Sequence, residues 1–436
     1  MPFVVRRGIL RLPYLPHTTD PSPTAACSLS TEARVIQLCA YAAPNDLARA
    51  ELSQLSRENI CWPDVVTLAR FNQIVPLVYT RLTEEGAGIP DTVLQTLAAE
   101  TNAIVGWNLK LAGELLLLLS HLRAHGIKAV PFKGPPLACE LYGGLKLRQC
   151  RDLDIFVAQS QMLDALRLLE TRGYQLDLKY QDVIKCDKPA GHHKDVLIVN
   201  PVNRVNIEIH WAACEPDFDD KLASTDYWSS ETTVSLLGEP VPIPEPENLL
   251  VLLVIHGSRH HWNSLKLLCD IAQLLTVYPN LDLEAVATKL PGLWRTRLLL
   301  IPLALVNSLW NVPLPAWVLS LISSDNTVFD QARAISESLF AVAGDNPSAL
   351  RKAAATMISQ QSLQLSSSRN PRDRVHIALR VLRRLVLPND LDKQFSALPR
   401  RFPVLSGFFR PVRLIKTYGM DICLGTMRKL WRAILR

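Results

Sequence analysis

The sequence predicts an α+β fold: a small mixed-sheet module flanked by N- and C-terminal helical regions. Three observations carry it. Apolar residues recur at helical spacing up to about residue 125. From residue 127 the pattern changes to short apolar runs bounded by turn residues, as in strands. After Pro246 helical spacing returns. The 436 residues suffice for about three domains at ~150 residues each. With 48% hydrophobic and 20% charged residues, the chain is globular, which excludes a mostly disordered, collagenous or coiled-coil protein.

Residues 1–27 read as a flexible leader, with Pro13, Pro16, Pro21 and Pro23 among small polar residues. A helical region follows over 28–125. It begins at Ser30-Thr31-Glu32 and continues through Val65–Leu82 and Thr92–Arg123. Leu111–Leu122 is nearly all leucine but carries Glu114, Ser120 and His121, which predicts a deeply packed helix. The α/β module is expected over 126–245. Ile127–Phe132 reads as a buried strand entering the turn Lys133-Gly134-Pro135-Pro136. Asp152–Val157 reads as a strand buried on both faces. Gln161–Thr171 is helical and Tyr174–Leu178 is a strand. Asp195–Val199 and Arg204–Trp211 form a hairpin around Asn200-Pro201-Val202-Asn203. Pro240, Pro242, Pro244 and Pro246 read as a stiff extended connector. Helices are expected again over 246–370, first from Glu247 to Arg259 and then from Ser264 to Tyr278.

Nine cysteines without a C-x-x-C pair argue for reduced thiols rather than a disulfide framework or zinc ribbon. The first twelve residues lack the apolar core of a signal peptide. No uninterrupted apolar run reaches the ~18 residues of a membrane span. Leu298–Ile322 comes closest and is broken by three prolines. A cytoplasmic protein is expected.

The chemistry concentrates at Lys133-Gly134, Arg148 and Asp152-Leu153-Asp154. Two carboxylates at i and i+2 of a strand share a face. Their repulsion favours a cation between them, and hard oxygen donors suit Mg²⁺. Alone, D-x-D also fits a solvated strand edge. The Lys-Gly turn before a helix offers an anion site, and Arg148 can meet a phosphate or a carboxylate. Ile207-Glu208-Ile209 adds a third carboxylate, aimed either at solvent or at a cation.

Lys133-Gly134, Leu141-Tyr142-Gly143, Arg148–Val157, Glu208-Ile209-His210-Trp211 and His256-Gly257 to Asp270 together resemble the DNA polymerase β-like nucleotidyltransferase superfamily. The resemblance is to its branch of uncharacterised nucleotidyltransferases, over about residues 60–280, with weaker similarity near Arg384–Arg413. It implies transfer of an NMP from an NTP to a hydroxyl, with release of pyrophosphate. It implies Asp152, Asp154 and Glu208 as catalytic ligands of two Mg²⁺ ions. Gly134 would be the turn glycine of the triphosphate site, and Lys133 and Arg148 nucleotide-binding residues. Pro135 departs from the Gly-Ser or Gly-Gly turn usual in the superfamily. Glu208 is longer than the aspartate usual at its position.

His256 and His260 share a helix face, as packed histidines or as contacts to the cleft; the Glu of an H-E-x-x-H is absent. His210 is expected on the face of Glu208. Asp270, four residues after Lys266, reads as an ordinary helix salt pair. His192-His193 lie in a loop.

The net charge of +6 hides an asymmetry: residues 1–370 carry −5 and residues 371–436 carry +11. Residues 424–436 form a basic amphipathic helix, a candidate for an anionic membrane surface, an acidic partner or the protein's own acidic body. Nucleic acid is not the expected partner, since aromatics are not interleaved through the tail. Three readings follow: an Mg²⁺-dependent nucleotidyltransferase acting on a small-molecule, peptide or glycan hydroxyl; a nucleotide-binding regulator on the same fold; and a membrane- or partner-binding helical protein.

Overall fold

The computed structural model describes residues 29–85, 88–177, 193–216, 218–229 and 231–340. The predicted leader, the basic tail with its 424–436 helix, and His192 lie outside the described residues.

Helices α1 (Thr31–Ala40) and α2 (Asp46–Leu55) begin at side-chain caps. Ser30 Oγ accepts from the Ala33 N–H, and Asn45 Oδ1 accepts from that of Ala48. The single helical stretch expected over Val65–Leu82 is two helices, α3 (Trp62–Phe71) and α4 (Val75–Glu85). Gln73 breaks the stretch by adopting φ +58°. Buried Asn72 supports that corner: its Oδ1 accepts from the Leu265 N–H, and its Nδ2 donates to the Leu339 carbonyl. Helix α5 (Asp91–Ala124) follows. Its leucine run is packed on one face only; Leu111, Leu115, Leu118 and Leu122 are buried while Leu117 is 54% exposed. Among the described residues α5 is the one helix long and apolar enough to cross a membrane. Leu298–Ile322, the stretch expected to come closest, spans parts of two helices, Leu293–Trp310 and Ala316–Ser324.

The sheet is mixed, in the order β1-β2-β5-β4-β3. Its strands are β1 (Ala129–Pro131), β2 (Leu153–Val157), β3 (Gln175–Leu176), β4 (Asp195–Val199) and β5 (Asn206–His210). The β2–β5 pair is parallel and the others antiparallel, and the predicted β4–β5 hairpin is present. Helix α6 (Pro135–Tyr142) links β1 to the loop before β2, and α7 (Met162–Glu170) follows β2. Period-2 alternation divides the sheet. Leu153, Ile155, Val157, Ile207, Ile209, Val196 and Ile198 pack with α5 and α7. Asp154, Phe156, Glu208 and His210 occupy the opposite face.

The proline series is not a connector. Residues Glu239–Pro244 form β7, paired with β6 (Glu231–Leu236) across a two-residue turn with positive φ at Leu237 and Gly238. Proline is tolerated in an edge strand where its missing N–H faces away from the partner. Pro240, Pro242 and Pro244 recur with the period that puts all three on that side. The short helix α8 (Asp220–Ser224) precedes this hairpin. Helices α9 (Pro246–Arg259) and α10 (Leu265–Val277) then complete the site, and their buried leucines join the N-terminal helices in one core.

Candidate active site

The site lies where the polar face of the sheet meets α6, α9 and α10. Asp154 and Glu208 are register partners on the parallel strands β2 and β5. Asp154 is 2% exposed, and Glu208 is half-buried. His210, two residues along β5, sits on the same face as expected. Its Nε2 lies 3.1 Å from Asp154 Oδ1 and 3.3 Å from Glu208 Oε2. Lys194 Nζ lies 3.4 Å from His210 Nδ1. A lysine donor there places the imidazole proton on Nε2, where it holds both carboxylates in place. Asp154, Glu208 and His210 together offer three ligand atoms within 4.8 Å of one another. Asp152 precedes β2 and lines the same cavity but stands outside that close group.

Gly134 makes the turn before α6. Its φ of +72° is strained for any residue with a Cβ, and an added Cβ would sit 3.2 Å from the Asp152 carbonyl oxygen. Pro135 fits because it occupies the first turn of α6, where its missing N–H is no loss. Lys133 is buried, with Nζ 2.8 Å from Asp154 Oδ1 and 3.2 Å from His256 Nδ1.

Arg148 is brought to the same cavity, with its guanidinium held by Asp270. Nε and Nη2 donate to Oδ1 and Oδ2, each at 2.8 Å, and both side chains are buried. Tyr142 Oη adds a 3.0 Å bond to Asp270 Oδ1. The expected Lys266–Asp270 helix pair is therefore replaced by a longer-range clamp, because Asp270 is taken by Arg148 and Tyr142. Asn108 of α5 fixes the loop that carries Arg148. Its Nδ2 donates to the Leu145 and Arg148 carbonyls at 2.8 Å, and its Oδ1 accepts from the Cys150 N–H at 3.1 Å.

Charge coupling is strong. Burial opposes ionisation of Asp154, but Lys133 and His210 hold its carboxyl well below the ordinary 3.8. Burial likewise opposes ionisation of Glu208, yet the His210 hydrogen bond brings it down to about 2. Asp152 is raised, by burial and then by Asp154. His256 falls well below 6.5 through burial and Lys133, and His260 to about 4 for the same reasons. Both histidines line the cavity, whose volume is about 260 Å³.

All nine expected site residues thus meet at or beside this cavity. Sequence reasoning missed Asp270 as a clamp, Asn108 as a loop anchor and Gln73 as part of the wall. Asp270 carried a signal, being a lone carboxylate in a mostly apolar helix. Asn108 and Gln73 carried none, since their partners are 37 or more residues away or backbone.

The arrangement can concentrate a hard divalent cation beside a glycine turn and several fixed cations. A solved structure of an antigenic nucleotidyltransferase-like protein from Paracoccidioides brasiliensis is similar at 13% identity, covering 53% of this chain and 91% of that one, with a TM-score of 0.28. No curated protein shows significant similarity to the chain. The family model described as "Uncharacterised nucleotidyltransferase" matches residues 58–311, a span that holds every residue of the site, and the chain belongs to that nucleotidyltransferase family.

Proposed function

We propose that the protein is an Mg²⁺-dependent enzyme that moves a nucleoside monophosphate from an NTP to a hydroxyl of a small-molecule, peptide or glycan acceptor. The observation that carries this reading is the register pairing of Asp154 with Glu208, both ionised at neutral pH, facing the Gly134 turn. The donor set fits the metal. Two aligned carboxylates with Asp152 beside them supply hard oxygens, and Asp154 is already paired with the Lys133 ammonium and hydrogen-bonded by His210. Asp152, Asp154 and Glu208 would hold the ions. When bound, two Mg²⁺ polarise the attacking hydroxyl and neutralise the departing pyrophosphate.

The chain's own residues do the positioning. The Gly134 turn leaves room for phosphate at the start of α6, where Pro135 and Pro136 bring no N–H and the charge must come from side chains. His210 keeps the carboxylates aimed. The Arg148–Asp270 clamp ties α10 to the loop that carries Asp152. Most of the rate enhancement would come from such positioning and fixed charge.

The test is pyrophosphate release from Mg²⁺-ATP and Mg²⁺-GTP over an acceptor panel, comparing wild type with Asp154→Asn and Glu208→Gln. Each variant should lose at least about a hundredfold in rate while keeping its circular dichroism spectrum. Folded variants that release pyrophosphate at the wild-type rate would sink the reading.

A further inference from the structure

We infer that Lys266 binds the β- and γ-phosphates of the NTP and stays with them as the leaving pyrophosphate forms; this rests on the nucleotidyltransferase reading above.

The inference starts from the pairing of charges in the cavity. Lys133 is committed to Asp154 and Arg148 to Asp270. Asp270 is engaged instead by Arg148 through both oxygens and by Tyr142 through one of them. Lys266, one turn before Asp270 on α10, consequently has no carboxylate within 4 Å among the described residues, although it lines the cavity. Arg151 is the other cavity cation without such a partner; it stands on the exposed rim, where water solvates it. Lys266 is half-buried.

An ammonium with no carboxylate within 4 Å, attracted only at longer range by Asp270 and Asp152, is costly to keep in a partly desolvated wall. Burial, with Arg148 second, brings its pKa down to about 8. A polyanion entering the cavity removes that cost and gains charge-assisted hydrogen bonds. The location suits the distal phosphates. The carboxylates that would hold the metal belong to β2 and β5, whereas Lys266 comes from the separate α10 wall. In the transfer, the acceptor oxygen bonds to the α-phosphorus and the bond from that phosphorus to the α–β bridging oxygen breaks. The electron pair leaves on pyrophosphate, and the hydroxyl proton passes to water. Negative charge therefore grows on the group that Lys266 would hold, so its contribution increases toward the transition state.

The experiment measures binding of Mg²⁺-pyrophosphate and Mg²⁺-AMP by calorimetry to the full chain and to Lys266→Met and Lys266→Arg. Lys266→Met should weaken pyrophosphate binding by roughly tenfold to a hundredfold, leave AMP within about twofold, and be largely rescued by Lys266→Arg. A second measurement needs only the wild type: saturating Mg²⁺-pyrophosphate should protect Lys266 from acylation near pH 8, read by mass spectrometry. Unchanged pyrophosphate affinity in Lys266→Met, unprotected Lys266, or a wild type that binds no pyrophosphate would each overturn the assignment. The two readings fail separately. Lys266-dependent pyrophosphate binding without acceptor-dependent transfer removes only the transferase reading. Wild-type transfer and binding in Lys266→Met removes only this one.

Discussion

Asp270 meets Arg148 across 122 residues of sequence through two parallel hydrogen bonds of 2.8 Å, with both side chains buried. Removing one partner of such a pair strands the other charge. Asp270→Ala should therefore cost about 3–5 kcal/mol in urea unfolding, and Arg148→Met combined with Asp270→Leu should recover much of it. A single-variant loss below about 1 kcal/mol would show that the clamp matters little to the fold.

Asn108 satisfies two carbonyls and one N–H of the loop before β2. Asn108→Leu keeps the branched shape, with a modest gain in volume, and removes all three bonds. The expected cost is about 2–4 kcal/mol, together with faster hydrogen exchange at Cys150. Unchanged exchange at that amide would contradict the anchoring role.

Gly257 lies under the Trp262 indole, and a Cβ there would fall 2.2 Å from Trp262 Cζ3. Trp262 is itself 2% exposed and has little room to retreat. Gly257→Ala should destabilise the chain by about 1–3 kcal/mol, and pairing it with Trp262→Leu should relieve the strain. A thermal melt of the two variants decides this.

His256 and His260 have folded-state pKa values below their unfolded value of 6.5, His260 near 4. The unfolded chain then binds more protons as pH falls from 6.5 toward 4, so these groups make stability decrease across that window. The effect of His260 is reduced by its exposure. His256→Asn with His260→Asn should flatten the melting temperature between pH 6.5 and 4. An identical pH slope in both proteins would exclude the histidines as its source.

Mg²⁺ should stabilise the folded chain by binding its aligned carboxylates. At five times the dissociation constant the gain is about 1 kcal/mol, read as a rise in melting temperature that EDTA reverses. Asp154→Asn should lose that rise, whereas a variant at exposed Glu239 should keep it.

Much of this architecture was legible because it depends on local periodicity. The i, i+2 spacing of Glu208 and His210 fixes a face because that run is a strand, whereas Asp152, expected to share a face with Asp154, precedes β2 and lies outside the close ligand group. The order strand, Gly134 turn, helix follows from local chemistry too. Relations set by distant packing were not legible. Asp270 has Lys266 at helix spacing, and only the tertiary fold shows that Arg148 claims it instead. The break at Gln73 is imposed by the hydrogen bonds that tie Asn72 to Leu265 and Leu339, which no window around residue 73 contains. The period-2 prolines of β7 carried a readable strand rhythm, masked by the usual association of proline with connectors.

Those prolines also bear on how the protein behaves when crowded by copies of itself. An open hairpin edge normally displays a row of amide donors that a strand from another molecule can join. On β7 three successive outward positions have no donor to offer, so an incoming strand would find carbonyls alone and no continuous ladder. The β7 edge of the ribbon thus cannot extend a ladder, by its covalent chemistry, whereas the proline-free β6 edge keeps its outward amides.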